Sequence, residues 1–296
     1  MKPVNQLILK DAFAIANKVR AHSVMIYIDP LEDLQFDGRF PKKSDLYLIS
    51  RRKKLEFDPE DKANLAHHCK SLLTIPKIHM TRIGVIKVAA TLALSLDYIK
   101  QGDKIVFVVG NPDIGDLDLI QIVDTEKESE IVTSRGITGL AESIQPEVFQ
   151  AVLNLAIELA EKGREGKPIG TIFVVGDHEK VLQLSKQMII NPFKGYDEEE
   201  RNILSVGLRE TIREFAAMDG AFVISDTGIV LTAGRYLGAA TEDHDLPRGL
   251  GSRHIAAAGI TSLTKAVAFV ISESSGDVRI FKDGKVLMEI EKAPRR

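Results

Sequence analysis

Three short stretches in the second half of this 296-residue chain combine side chains able to do chemistry. The first is Met218-Asp219-Gly220-Ala221, read between a long helix and a strand. A carboxylate at the end of an element can face a ligand while its neighbours hold the backbone. Gly220 permits close approach or a positive φ, and Ala221 leaves space. Asp-Gly is equally a common turn dipeptide, which is the plainer use of that pair. The second stretch is Arg248-Gly249-Leu250-Gly251-Ser252-Arg253-His254, running into an Ala-rich helix read from Ile255 to Thr264. Glycines, a hydroxyl, an arginine and a histidine ahead of a helix N-terminus form a phosphate cradle. Backbone N–H groups and the helix dipole attract the anion, and Arg253 can fork two phosphate oxygens. Gly-x-Gly alone would be a flexible loop, and His254 alone a hydrogen-bonded structural histidine. The cluster Ser252-Arg253-His254 favours the anion site. The third stretch is Ile271-Ser272-Glu273, at the end of an apolar strand read from Ala266 to Ile271. A carboxylate and a hydroxyl at a strand's C-terminal end suit a divalent cation or a phosphate. An exposed polar strand end before a Ser275-Gly276 turn fits the same residues.

Other chemistry-bearing residues are weaker. His67-His68-Cys69 holds metal-binding types, but neighbours on a helix point about 100° apart and cannot chelate together. Val109 to Gly115 follows a strand, yet lacks Gly-x-Gly-x-x-Gly spacing and contains Pro112, so it reads as a loop. No Cys-x-x-Cys pair, Gly-x-Ser-x-Gly elbow or Walker-type Gly-Lys-Ser/Thr occurs.

Positioning these stretches requires alternating strands and helices, and the chain reads that way in two blocks. The first block predicts a helix over Leu7–Arg20, strands at Val24–Ile28 and Leu46–Ile49, and a helix from Pro59 to Lys70. A strand at Leu72–Ile75, a helix over Arg82–Lys100 ending at Gly102, and strands at Lys104–Val109 and Leu119–Val123 complete it. A polar stretch between Asp124 and Ser143 reads as the boundary, giving domains 1–126 and 127–296. The second block predicts a helix from Pro146, a central strand at Thr171–Val175, and helices over Glu179–Ile190 and Asp197–Ala217. Glu198, Glu199 and Glu200 would sit in the first turn of the last helix, where the dipole favours them. Strands Ala221–Ile224 and Ile229–Leu231 join through Asp226-Thr227-Gly228, and three later strands turn at Ser275-Gly276 and Asp283-Gly284. The fold class is α/β: an N-terminal three-layer α/β domain, then an α/β domain with a central mixed sheet flanked by helices.

Composition narrows the function classes. With 39 Lys+Arg against 42 Asp+Glu the formal net charge is -3, which removes the usual electrostatic case for a nucleic-acid binder. The single cysteine, Cys69, cannot form an intrachain disulfide. No apolar run approaches the ~20 residues that span a bilayer, and Lys10 and Asp11 interrupt any signal-like start. The expectation is a soluble, cytoplasmic protein.

Read in order, Asp219-Gly220-Ala221, then Gly251-Ser252-Arg253-His254 leading into Ala256-Ala257, then a strand ending in Ser272-Glu273, resemble the catalytic domain of diadenylate cyclases. That domain is shared by the bacterial DNA-integrity-scanning protein and the membrane-anchored cyclases. The resemblance covers roughly Ser143 to Ile290 and includes Asn191-Pro192-Phe193-Lys194-Gly195. A soluble α/β domain ahead of it resembles the archaeal branch, where that domain is pyruvate-kinase-like. The resemblance implies condensation of two ATP to cyclic di-AMP and two pyrophosphates, with Mn²⁺ or Mg²⁺. It places Asp219 near the attacking ribose hydroxyl and the metal, and Glu273 as the remaining candidate metal carboxylate. It gives the triphosphate to Gly251, Ser252, Arg253 and His254, with Gly249, Gly220 and Ala221 in the same nucleotide site. Ser272 adds a contact, and Tyr236 and Leu237 pack against adenine. Bacterial members have Arg-His-Arg where this chain has Arg253-His254-Ile255, so a second phosphate-facing cation is missing, for which Arg248 or Lys265 could compensate. Ser274 replaces a second acidic residue. A ring product made from two nucleotides calls for a homo-oligomer, at least a two-fold pair of cyclase domains. The alternative is a sensor that binds ATP or cyclic di-AMP without turnover. A DNA-scanning role is disfavoured by charge and by a basic ending of only Lys292, Arg295 and Arg296.

Overall fold

The computed structural model describes residues 1–56, 58, 60–127, 144–163, 169–238 and 251–291. The chain divides into two compact units, Met1–Ser134 and Arg135–Arg296. The first contains α1 (Pro3–Val19), β1 (Ser23–Tyr27), β2 (Asp45–Ser50), β3 (Cys69–Thr74), α2 (Arg82–Ser95), β4 (Lys104–Asn111) and β5 (Asp116–Asp124). Its sheet runs β3-β2-β1-β4-β5, with the first four strands parallel and β5 folded back as an antiparallel hairpin. Leu9, Phe13 and Ala16 of α1 recur at helical spacing, and they pack on Val24, Ile26, Leu46, Leu48, Val106 and Val108 from alternate strand positions. Helix α2 lies against β4 and β3 and is buried along most of its length.

The second unit contains α3 (Pro146–Lys162), β6 (Thr171–Val175), α4 (His178–Gln183), β7 (Ser185–Gln187), α5 (Leu208–Phe215) and β8 (Ala221–Ile224). It continues with β9 (Val230–Leu237), α6 (Ser252–Leu263), β10 (Val267–Ile271), β11 (Val278–Lys282) and β12 (Lys285–Ile290). The strand order is β12-β11-β10-β6-β8-β9-β7, parallel between β6 and β8 and antiparallel elsewhere, a mixed sheet with β6 at its centre. One face buries Ile172, Val174, Val223, Ala268 and Val270 under Val181 of α4 and Ala257, Ala258 and Ile260 of α6. On the other face a row of aromatic rings forms. Phe149 of α3 lies 5.2 Å from Phe269, and Phe173 lies 5.0 Å from Phe222. Each such buried ring contributes roughly 1.5–3 kcal/mol by leaving water. Both units are thus sheets flanked by helices, as the sequence predicts.

Four helices differ from expectation. No helix runs to Lys70: a single 3₁₀ turn, Leu65–His68, is capped by the Asn64 side chain, and Cys69 already belongs to β3. Pro59, its expected start, lies outside the described residues. Helix α2 stops at Ser95 rather than Lys100, because Asp97 takes a left-handed conformation and Tyr98 stacks on Tyr47 at 5.2 Å. The helix expected over Glu179–Ile190 closes at Gln183, and the chain then pairs with β9 as the three-residue strand β7. The helix expected from Asp197 begins only at Leu208. Before it, Ile203 N–H donates to the Gly228 carbonyl and Val230 N–H to that of Arg201, so tertiary pairing replaces helical bonds. Glu198, Glu199 and Glu200 therefore cap no helix.

Gly220 sets how Asp219 enters β8. Its φ is +104°, and a Cβ there would lie 2.7 Å from the backbone of both Arg235 and Gly234 in β9. Gly220→Ala is expected to destabilise the protein by about 2–3 kcal/mol through strain and strand displacement. Denaturant unfolding measures this, and a change below about 0.5 kcal/mol contradicts it.

Candidate functional site

The registers of three neighbouring strands bring their ends to one edge of the second sheet. Ile172 pairs with Ala221 and Ile271 with Thr171, so the starts of β6 and β8 meet the end of β10. Asp219 precedes β8, Glu273 follows β10, and the N-terminus of α6 arrives at the same edge. There Arg253 Nη1 donates to Glu273 Oε2 at 2.8 Å, and its Nη2 lies 3.7 Å from Asp219 Oδ1. The three stretches singled out from the sequence thus converge on one guanidinium. Gly170, which sequence reasoning passed over, makes the room. A Cβ there would stand 2.6 Å from Arg253 Nη1 and 2.8 Å from Glu273 Cβ. Its only sequence signal is a glycine just ahead of a strand.

Two clefts open on either side of Ser252 and Arg253, which line both. The smaller, about 250 Å³, holds Asp219, Gly220, Ala221, Tyr236 and Leu237. The larger, about 760 Å³, holds Gly251, His254, Ser272 and Glu273. Every expected site residue that the structure describes therefore lies on one cleft or the other; Gly249 and Arg248 lie outside the described residues. Asp219 is 94 % exposed along its side chain, open to a ligand. Tyr236 is exposed, whereas Leu237 is also part of the core under α4 and α6. Ser272 shapes the turn: its hydroxyl accepts from Ser275 N–H at 3.3 Å and its carbonyl from Gly276 N–H at 2.9 Å.

His254 is turned inward and only 5 % exposed. Its Nε2 lies 3.1 Å from Nη1 of Arg279, a β11 residue absent from the sequence-derived site. A guanidinium only donates, so Nε2 accepts and the ring is neutral with its proton on Nδ1. Nδ1 is buried without a partner among the described residues. Burial pushes the His254 pKa down, and the charges of Arg279 and Arg253 push the same way, against weaker opposition from Glu289 and Asp277.

Residues 158–286 match the family model for the DisA bacterial checkpoint controller nucleotide-binding domain, DAC. These residues are similar to the nucleotide-binding domain which that family model describes. A diadenylate cyclase of Methanocaldococcus jannaschii is 40 % identical over 200 residues, 67 % of this chain and 63 % of that protein. A diadenylate cyclase of Haloferax volcanii is 45 % identical over 149 residues, 49 % of this chain and 53 % of that protein. The match thus spans less than two thirds of either relative's length. The crystal structure of DacA from Staphylococcus aureus aligns with 49 % of this chain and 87 % of its own, at 24 % identity and a TM-score of 0.34.

Among the described residues no group of three or more His, Cys, Asp or Glu side chains could hold a metal ion. Asp219 and Glu273 stand at one guanidinium as two exposed carboxylates. That donor set suits a hard cation of the Mg²⁺ type, which uses one or two carboxylates and completes its shell with substrate phosphate and water. It does not suit an all-protein cage. Among the described residues no helix is long and apolar enough to cross a membrane.

The depressed His254 pKa makes a stability prediction. As pH falls below the ordinary histidine value near 6.5, the unfolded chain takes up this proton before the folded one does. The contribution to stability is therefore full above that pH and declines through it toward the lower folded value. Melting temperature should fall more steeply between pH 7.5 and 5 in the wild type than in His254→Gln. Equal slopes contradict the assignment.

Proposed function

We propose that the second unit, taken from residue 127 onward, condenses two ATP molecules into cyclic di-AMP with release of two pyrophosphates. The observation that carries this reading is the convergence of Asp219 and Glu273 on Arg253 between two clefts, within a diadenylate cyclase-family domain. Adenine fits the smaller cleft, against the exposed Tyr236 and the buried Leu237. The triphosphate fits the larger one, at the N-terminus of α6, where unpaired N–H groups and Arg253 favour an anion.

Each ribose 3′-oxygen attacks the α-phosphorus of the other ATP. A new P–O bond forms, the bond to the bridging oxygen of pyrophosphate breaks, and the hydroxyl proton leaves. Asp219, exposed beside the smaller cleft, orients that hydroxyl and accepts its proton. Arg253 neutralises charge that builds on the reacting phosphate, and Gly251 and Ser252 fix the chain's direction. Asp219 and Glu273 would hold a divalent ion, Mn²⁺ or Mg²⁺, which when bound would supply further charge neutralisation. One domain holds one ATP, so the two reacting nucleotides meet across a two-fold pair of domains. The first unit has no assigned role in this chemistry.

Incubation with ATP and Mn²⁺ or Mg²⁺, followed by mass spectrometry, should yield cyclic di-AMP. Asp219→Asn should lower turnover at least about 100-fold while ATP binding changes little. Wild-type turnover in that variant removes Asp219 from the chemistry. ATP binding without product, across metals and protein concentrations, overturns the enzyme reading in favour of a nucleotide sensor.

A further inference from the structure

The larger cleft carries a cation that the sequence motifs do not announce. After Arg253, helix α6 offers only His254, whose ring accepts rather than donates at Nε2, and the apolar Ile255. Among the residues lining the cleft the positive groups are Arg253 and Arg279, against the carboxylates Glu273, Asp277 and Glu289. Lys265, another candidate for the missing charge, does not line it.

Arg279 is held from three sides. Nη1 donates to His254 Nε2 at 3.1 Å, and Nη2 donates to Glu289, its direct partner across the β11–β12 ladder. Asp277 stands 3.9 Å from the same Nη2. A guanidinium has five N–H donors, and these hydrogen bonds use two. Nε–H and the second hydrogen on Nη1 make no hydrogen bond among the described residues, while Nη2 also faces Asp277. The side chain is 17 % exposed, so its stem is packed while the group forms part of the cleft wall. A pre-oriented, part-desolvated guanidinium with free donors is the arrangement that binds phosphate oxygens in fixed geometry.

We propose that Arg279 is a second triphosphate-binding residue of the larger cleft, acting with Arg253 on the phosphate chain of the bound nucleotide. This rests on the nucleotide reading above, but not on turnover. His254 and Glu289 position it: the imidazole gives it an acceptor without adding charge, and the carboxylate fixes the plane of the fork.

The test is calorimetric binding of adenosine, AMP, ADP and ATP, each with Mg²⁺, to wild type, Arg279→Met and Arg279→Lys. Melting curves check that both variants are folded. The Met variant should weaken ATP at least about tenfold and adenosine less than about twofold, with the loss growing as phosphates are added. The Lys variant, which keeps charge but lacks the fork, should fall between. An equal loss for all four ligands makes Arg279 a structural residue and overturns the proposal. So does ATP affinity within about twofold of wild type. Wild-type protein that binds none of the four overturns the nucleotide reading itself, and the proposal with it. Binding without any cyclic product leaves the proposal supported and counts against the cyclase reading alone.

Discussion

The guanidinium of Arg253 reaches both Asp219 and Glu273 only if three strand ends and one helix end meet at the same sheet edge. That constraint fixes much else in the second unit. β6 must lie between β8 and β10, with β8 parallel and β10 antiparallel to it, so that two starts and one end coincide. Helix α6 must cross the sheet with its N-terminus at that edge. Gly170 must lack a side chain, and Gly220 must turn through a positive φ, or the arginine and the aspartate lose their places.

The ion pairs at this edge contribute little to folding. Exposed pairs are worth about 0–1 kcal/mol, and one of these is beyond hydrogen-bond distance. Stability comes instead from the sheet's two buried faces, the phenylalanines under α3 and the aliphatic layer under α4 and α6. This edge can therefore keep two carboxylates open to solvent while the fold rests on apolar burial. His254 and Arg279 stand between these regimes, because a buried neutral imidazole joins the cleft wall to the packed interior.

Much of the site was legible in the sequence because it follows local rules. Gly251 to His254 lie at a helix start, Ser272 and Glu273 at a strand end, and Asp219 ahead of a strand, and all three placements hold. The residues that escaped depend on non-local geometry. Counting back from the Asp283-Gly284 turn would set Arg279 opposite Met288. A bulge between Ile280 and Phe281 shifts the register by one and brings Glu289 opposite instead. Gly170 matters only because Arg253 arrives from 83 residues further along the chain. The expected helices over 179–190 and 197–217 were shortened for a related reason. Their apolar spacing is helical, but β7 pairs with β9, and Arg201 and Ile203 pair around Gly228. The first unit's layers were legible from periodicity, although its residues carry no motif that assigns chemistry.

The proposed function rests on one nucleotide lying across both clefts with Arg253 at their junction. A crystal structure of the protein with 3′-deoxy-ATP and Mg²⁺, a pairing that lacks the attacking hydroxyl, tests it most directly. Adenine is expected against Tyr236 and Leu237, the triphosphate at Ser252 and Arg253, and its distal phosphates within reach of Arg279. A nucleotide bound elsewhere, or reversed with adenine in the larger cleft, would contradict it.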